Sequence, residues 1–191
     1  ANGVDNPVNN AGGGSGGSIW ITAQSLTGAG TIHARGGAGE WVDGGGGAGG
    51  RIALELGIDS FSGSVAATGG GGAERGGAGT IYRRVGDDRV GRMTVDNGGS
   101  WGNYTPIQSP VPFHLTLAGK AQIYPEAPLE LASLDMPEEA LLTHLTGQSN
   151  LLVHVRGDAV IGTNSHVSTD GRGYPIADDR GPGAGQRLDW G

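Results

Sequence analysis

Short apolar stretches recur along the first half of the chain, each at the same distance from a run of glycine. Ile19-Trp20-Ile21 and Ile52-Ala53-Leu54 lie 33 residues apart, and Ile81-Tyr82 follows Ile52 after 29 residues. Alternating apolar positions and β-branched residues favour strands over helices. The pattern therefore predicts three copies of a repeat of about 30 residues, which together form a Gly-rich block over residues 1–104.

A second, shorter strand is predicted in each copy. Thr31-Ile32-His33-Ala34 and Ser64-Val65-Ala66-Ala67 occupy equivalent places, and Met93-Thr94-Val95 takes this place in the third copy. Because residues of like phase share a face, we expect one continuous interior formed by Ile19, Ile21, Ile32, Ile52, Leu54, Val65 and Ile81.

Glycine becomes sparse between residues 105 and 156. This segment contains short apolar stretches separated by Gly, Pro, Ser or Asn, which indicates Gly-poor β rungs. An alternative for 135–142 is a helical turn, because a proline and three acidic residues lie at its start, within 135–139. From residue 157 to 191 the first pattern returns, so we interpret this segment as the start of a further Gly-rich block of one continuous structure.

The glycine runs themselves allow two interpretations. The 41 glycines and 9 prolines make up about a quarter of the 191 residues, against roughly 12% in average usage. Runs such as 44–47 suit corners with positive φ or ridges where backbones approach closely. A flexible linker is the alternative, although apolar triplets in register interrupt the runs.

These patterns together predict an all-β fold, a parallel β-helix or β-solenoid with Gly-rich loops or ridges. A net charge of −7 argues against nucleic acid as a partner. The absence of cysteine excludes disulfides and thiol chemistry, and no apolar run is long enough to predict membrane insertion. The chain begins at Ala1 rather than Met, which is typical of a processed or excised segment.

Several motifs in their order along the chain resemble a known class of repeats. The motifs are Gly-Gly-Ser-Ile-Trp-Ile (16–21), Gly-Ala-Gly-Thr-Ile-His-Ala (28–34), Gly-Gly-Arg-Ile-Ala-Leu (49–54), Gly-Ala-Gly-Thr-Ile-Tyr (77–82), Leu-Leu-Thr-His (141–144), Asp-Gly-Arg-Gly-Tyr-Pro (170–175) and Gly-Pro-Gly-Ala-Gly (181–185). They look like the Gly-rich β-solenoid repeats of very large secreted bacterial surface proteins of the adhesin-like or autotransporter-like kind. The resemblance implies a secreted, extracellular location, a scaffolding or adhesive role, and no catalytic residues to transfer.

Few residues indicate a binding site. Trp41, Trp101 and Tyr104 lie on Gly-rich segments, where aromatic rings either stack on sugar faces or cover glycine backbone. Asp170, Asp178 and Asp179 are candidate calcium ligands, with solvated turn carboxylates as the alternative. The five histidines show no metal-binding spacing, so no cofactor is predicted beyond a candidate calcium ion.

Two classes of function fit these observations. The first is a non-catalytic structural or adhesive module of a bacterial surface protein or filament, which associates head to tail with copies of itself or with adjacent repeats of the same chain. The second is a module that binds polysaccharide, or less plausibly cleaves it, because no cluster of acidic, calcium-binding and arginine residues is evident. We therefore expect a protein that is not an enzyme.

Overall fold

The computed structural model describes residues 1–6 and 10–174. Strands and irregular segments make up this part of the chain, which contains no helix. The strands are β1 (Ser18–Gly28), β2 (Thr31–His33), β3 (Arg51–Phe61), β4 (Ser64–Ala66), β5 (Thr80–Val85), β6 (Arg92–Asp96), β7 (Thr105–Ile107), β8 (Phe113–Ala118), β9 (Gln122–Pro125), β10 (Leu129–Glu138), β11 (Leu141–Leu142), β12 (Val153–Val155), β13 (Ala159–Thr163) and β14 (His166–Val167).

Three sheets organise these strands. The main sheet has the order β1-β3-β5-β6-β8-β10-β12, and β13 also pairs with β10. A second sheet has the order β14-β11-β9-β7, and β2 pairs with β4 in a third. Ile19 lies opposite Ile52, and Ile52 opposite Ile81, so the predicted register of the apolar triplets is confirmed.

The predicted parallel β-helix, or β-solenoid, is wrong for this chain. All pairs in the main sheet are parallel except β5 with β6, which pair antiparallel, so the sheet is mixed. The physical reason lies in the six residues 86–91, which form a tight reversal. Gly86 has a φ of 58°, and Asp88 N donates a hydrogen bond to the Val85 carbonyl. A link this short joins antiparallel neighbours, whereas parallel strands need a longer crossover.

The hairpin also changes the place of Met93-Thr94-Val95. The sequence predicts this stretch as the second strand of a third copy, but it forms β6, which joins the main sheet beside β5. Near the other end of the chain, the helical alternative for 135–142 is wrong. Strand β10 continues to Glu138, and Glu139 then turns the chain with a φ of 43°.

Two apolar cores lie on opposite faces of the main sheet. The first core contains Ile52 and Leu54, with all the other residues of the predicted interior packed against them, so that interior is confirmed. The second core is formed by β6 to β11, and Met93 packs against it. Across the hairpin Tyr82 lies opposite Met93, whereas Ile81 of the first core lies opposite Thr94. Directly opposed residues share a face, so the two cores occupy different faces.

The glycine runs form a bundle of extended backbone beside the first core. Its six segments are 1–6, 11–17, 34–40, 44–50, 67–72 and 74–79, and we call them the glycine bundle. Within the bundle each segment from the second onward donates to the one before it. These bonds are Gly14 N to Val4 O, Gly37 N to Gly14 O, Gly47 N to Gly37 O, Gly70 N to Gly47 O and Gly76 N to Gly70 O, at 2.8–3.0 Å.

A second set of hydrogen bonds joins segments one repeat apart. The donors in this set are spaced three residues along the chain, as in Gly13 and Gly16, Gly36 and Gly39, and Gly46 and Gly49. Three residues per turn without bonds inside the segment is the periodicity of the polyproline II helix. The spacing indicates extended segments of this kind, whose amide groups bond to neighbouring segments.

Close approach, and not positive φ, is the reason for glycine here. A Cβ on Gly47 would lie 1.9 Å from the Gly14 carbonyl oxygen, and one on Gly46 would lie 2.1 Å from that of Gly70. No glycine of 34–50 or 67–79 has a positive φ. The prediction of packed ridges is therefore confirmed, and the positive-φ part of it is wrong at these positions.

One buried side chain ends the glycine bundle where the Gly-poor segment begins. Asn97 is 1% exposed, and its Oδ1 accepts a hydrogen bond from Gly69 N at 2.8 Å. Its Nδ2 donates to the Ser100 carbonyl at 2.8 Å and to the Gly76 carbonyl at 3.3 Å. The amide therefore replaces the backbone groups that a further extended segment would supply.

We expect alanine at Gly46 or Gly47 to lower the free energy of unfolding by about 1–3 kcal/mol, because the new Cβ would overlap a backbone oxygen that cannot move alone. Gly45 is the matched control, since a Cβ there meets only the Glu74 oxygen, at 3.9 Å. Chemical denaturation of the three variants checks this. Equal stability of all three would contradict backbone packing and favour a flexible linker.

We expect Asn97→Ala to cost about 1–3 kcal/mol, because it leaves the buried Gly69 amide without an acceptor. Asn103→Ala is the control, since the Asn103 side chain is exposed and bonds only the adjacent Tyr104 amide. Thermal unfolding measures the difference. The role assigned to Asn97 fails if both substitutions have the same effect.

Candidate functional site

Strand β1 forms one edge of the main sheet and is eleven residues long. Strand β1 pairs with β3 and with no other described strand, and β2 pairs in the same way with β4 alone. One side of each backbone therefore faces away from its sheet. The Trp20 side chain on β1 is 73% exposed. We call β1 and β2 the first edge.

The opposite side of the main sheet also ends in strands that pair on one side only. Strands β12 and β13 both pair with β10, and β14 pairs with β11. Within residues 1–6 and 10–174, no further strand covers them. Ile161 is 53% exposed and Val167 44% exposed, although their partners Met136 and Leu142 are fully buried. We call β12, β13 and β14 the second edge.

The strands of both edges lack charged residues, whereas strands inside the main sheet carry them. Neither β1 nor β13 contains Asp, Glu, Lys, Arg or Pro. In contrast, Arg83 of β5 pairs with Asp59 of β3 at 2.7 Å, and Arg84 pairs with Glu55 at 3.0 Å. Sheet edges of monomeric proteins are commonly protected by charges, prolines or bulges. Strands β1 and β13 lack the charges and prolines of that protective pattern.

His33 does not add a charge to the first edge near neutral pH. Burial, followed by the charges of Arg35 and of the N-terminal ammonium group, lowers the pKa of His33 below its ordinary value of 6.5. The neutral imidazole is within hydrogen-bond distance of Ser64, with 3.0 Å between Nε2 and Oγ. The first edge is therefore uncharged along both of its strands.

Two of the three predicted aromatic ligands lie together. Trp101 and Tyr104 line an open groove of about 320 Å³ with Glu74, Arg75 and the backbone of 102–103. We call this the aromatic groove. Trp41 is not among its lining residues, because its ring lies against Gly71 elsewhere, where a Cβ would be 2.9 Å from Cη2. The alternative role of covering glycine backbone therefore describes Trp41.

The Tyr104 ring contacts a residue far along the chain. The guanidinium carbon of Arg172 lies 4.3 Å from the centroid of the Tyr104 ring, within the range of a cation–π contact. Arg172 belongs to the Asp-Gly-Arg-Gly-Tyr motif, so this contact brings part of that motif next to a residue of the aromatic groove.

Glu74 and Arg75 were not identified from the sequence. They are about 30 positions from Trp101, and no local pattern connects the two places. Arg75 Nε is buried and has no hydrogen-bond acceptor among the residues described. The aromatic groove thus combines two rings with one acidic and one basic side chain, which is the composition of sites that bind hydroxyl-bearing ligands.

The candidate calcium ligands are not brought together by the described part of the chain. Asp170 lies in an exposed turn, where its backbone amide donates to Ser168 Oγ at 3.1 Å. Asp178 and Asp179 lie outside the described residues. Within residues 1–6 and 10–174, no group of three or more acidic or histidine side chains is placed to hold a metal ion.

Comparison with known proteins gives no relative. No protein-family model matches the chain, and neither a curated protein nor a solved structure matches it. The resemblance to bacterial surface repeats therefore remains a hypothesis. The part of the chain that the structure describes contains no helix with the length and hydrophobicity of a membrane span.

Proposed function

We propose that this chain is a non-catalytic structural and adhesive module of an extracellular bacterial surface protein or filament. In this proposal it associates head to tail with copies of itself or with adjacent repeats. The observation that carries the proposal is the lack of charge and proline on β1 and β13, the strands at the two ends of the main sheet. Such strands present unpaired amide and carbonyl groups with nothing to oppose a partner strand.

The geometry of the two edges favours open-ended growth. The first and second edges are different surfaces at opposite ends of the strand order, so a contact between them is heterologous. Heterologous contacts produce filaments unless the rotation between subunits closes a ring. Exposed Ile161 and Val167 would be covered in such a contact, which adds an apolar contribution to the strand pairing.

We expect the 191-residue chain to assemble as its concentration rises, because strand pairing at the two edges satisfies groups left open in the monomer. Sedimentation velocity over a concentration series, with electron microscopy of the same samples, measures this. Fibres or a ladder of oligomers are the expected result. A single monomeric species at the highest concentration would contradict the proposal.

A proline on the first edge provides a specific block. Gly17 accepts from Arg51 N, so alternate residues from Gly17 onward face β3, and the Thr22 amide faces the open side. Thr22→Pro removes that outward donor without removing a bond to β3. We expect this variant to stay monomeric and Thr22→Val, which keeps the donor, to assemble like the parent. Assembly of both variants would show that the first edge is not used.

A second candidate function is saccharide binding in the aromatic groove. Trp101 is 45% exposed there, and Tyr104 lines the same groove with the Arg172 guanidinium over its ring. Aromatic rings stack on the apolar faces of sugars, while Glu74 and Arg75 offer an acceptor and donors to hydroxyl groups. Adhesion to a polysaccharide is compatible with the structural role proposed above.

We expect Trp101→Ala to weaken binding to a glycan selected on a glycan array by about tenfold or more, because it removes the exposed stacking ring. Trp41→Ala is the matched control, since Trp41 is exposed but lies outside the aromatic groove. Titration calorimetry with the selected oligosaccharide measures both. Saccharide binding at this groove is wrong if no glycan binds, or if Trp41→Ala has the larger effect.

A further inference from the structure

We infer that the second edge receives the first edge of another copy of this chain in one defined register, with successive copies related by a half-turn. This inference rests on the self-association proposed above and specifies its geometry. In the inferred joint, β1 adds to β12 and β13, and β2 adds to β14. All these strand pairs are parallel.

The two edges have equal dimensions. Strand β1 covers 18–28, and β12 with β13 covers 153–163, so both span eleven residues. In both edges the next strand begins after two residues, at Thr31 and at His166. Each corner also contains one residue with positive φ, Gly28 at 104° and Asn164 at 58°. The chain therefore turns from one sheet to the next at the same place in both edges.

The apolar positions of the two edges also correspond. Val153 and Val155 pack against the second core, and Ile161 and Val167 lie opposite fully buried residues of that core. On the first edge, the residues that pack against the first core are spaced similarly. The register that matches them places Ile19 opposite Val153, Ile21 opposite Val155, Leu26 opposite Ile161 and Ile32 opposite Val167.

This register contains one shift of a single residue, and both edges are irregular where it falls. The β1–β3 pairing skips Gln24 and Gly57. Ala159 follows Val155 by four residues, whereas their partners on β10, Leu134 and Leu131, are three residues apart. The second edge therefore has one extra residue between β12 and β13. A β-bulge accommodates such an extra residue and keeps the side chains on either side of it on their proper faces.

The half-turn follows from the hairpin between β5 and β6. Strands β1, β3 and β5 run in one direction, and the main-sheet strands from β6 onward run in the other. A simply translated copy would therefore point its β1 against β13. Rotation by half a turn about an axis that lies in the plane of the main sheet and perpendicular to its strands reverses the direction of β1. Because the two cores lie on opposite faces, the same rotation brings the first core onto the face of the second.

Charge does not oppose this joint. Between β12 and β13 the bulge carries two charged residues, Arg156 and Asp158, and Arg156 pairs with Glu130 at 3.6 Å. The first edge sets uncharged residues, Thr22 to Gln24, against this place. A second copy fits the edge both in length and in the absence of like charges.

Engineered cysteines test the register in a chain that has none of its own. Thr31→Cys/His166→Cys and Trp20→Cys/His154→Cys each place two exposed side chains opposite one another across the joint. Paired strands lie about 4.8 Å apart, within the reach of a disulfide. Under mild oxidation at assembling concentrations, both variants should give a ladder of covalent multimers on non-reducing gels, sensitive to reductant. Thr22→Cys/His166→Cys is the out-of-register control and should give none.

The outcomes separate this inference from the function on which it rests. Two results would show that the register is wrong while self-association stands, provided that the parent chain assembles. In the first, the control variant cross-links to the same extent as the matched pairs. In the second, neither matched pair cross-links. Covalent dimers of Thr31→Cys alone would indicate a symmetric contact and overturn the head-to-tail joint. Fibres whose neighbouring subunits show no half-turn in helical reconstruction would overturn the inferred rotation. A parent chain that stays monomeric overturns the proposed self-association between copies, and this inference with it.

Discussion

Hydrogen bonding between bare backbones is the constraint on which the first half of this protein depends. Six extended segments contact one another through peptide groups, at distances that leave no space for a Cβ at positions such as Gly46 and Gly47. An unpaired amide in such a bundle would be costly, so every segment needs neighbours on more than one side. The neighbours come from the next repeat, so this requirement acts together with the apolar side chains to hold β1, β3 and β5 in register.

The hairpin between β5 and β6 joins this glycine-based half to a half stabilised by conventional apolar packing. Large side chains such as Phe113, Leu115 and Met136 fill the second core, to which the glycine bundle contributes Ala78. Asn97 closes the glycine bundle at the junction by offering an amide in place of another extended segment. Near this hairpin the strand direction reverses, and stabilisation by backbone hydrogen bonds gives way to stabilisation by apolar side chains. The main sheet is continuous across the hairpin.

The sequence predicts those parts of the structure in which apolar and polar side chains alternate regularly. The repeated triplets placed Ile19, Ile52 and Ile81 in register, because apolar alternation reports directly on a buried strand face. Glycine has no side chain and so leaves no pattern that distinguishes a packed extended helix from a corner or a linker. The reversal at 86–91 was missed because Met93-Thr94-Val95 fits either sheet by composition. Of the residues that line the aromatic groove, only Trp101 and Tyr104 were predicted, and they lie close together in the sequence. Glu74 and Arg75 reach these two rings only because the repeats stack on one another.

Because the interior of the glycine bundle consists of peptide groups, the bundle affects the heat capacity of unfolding differently from an apolar core. The heat capacity of unfolding rises with the apolar area exposed and falls with the polar area exposed. A bundle whose buried surface is mainly amide contributes little or negatively to this quantity, while the second core contributes positively. Stability should therefore vary less steeply with temperature than in a protein of equal length with a uniformly apolar core. A module of this composition keeps its shape over a wide range of temperatures without a high maximum stability.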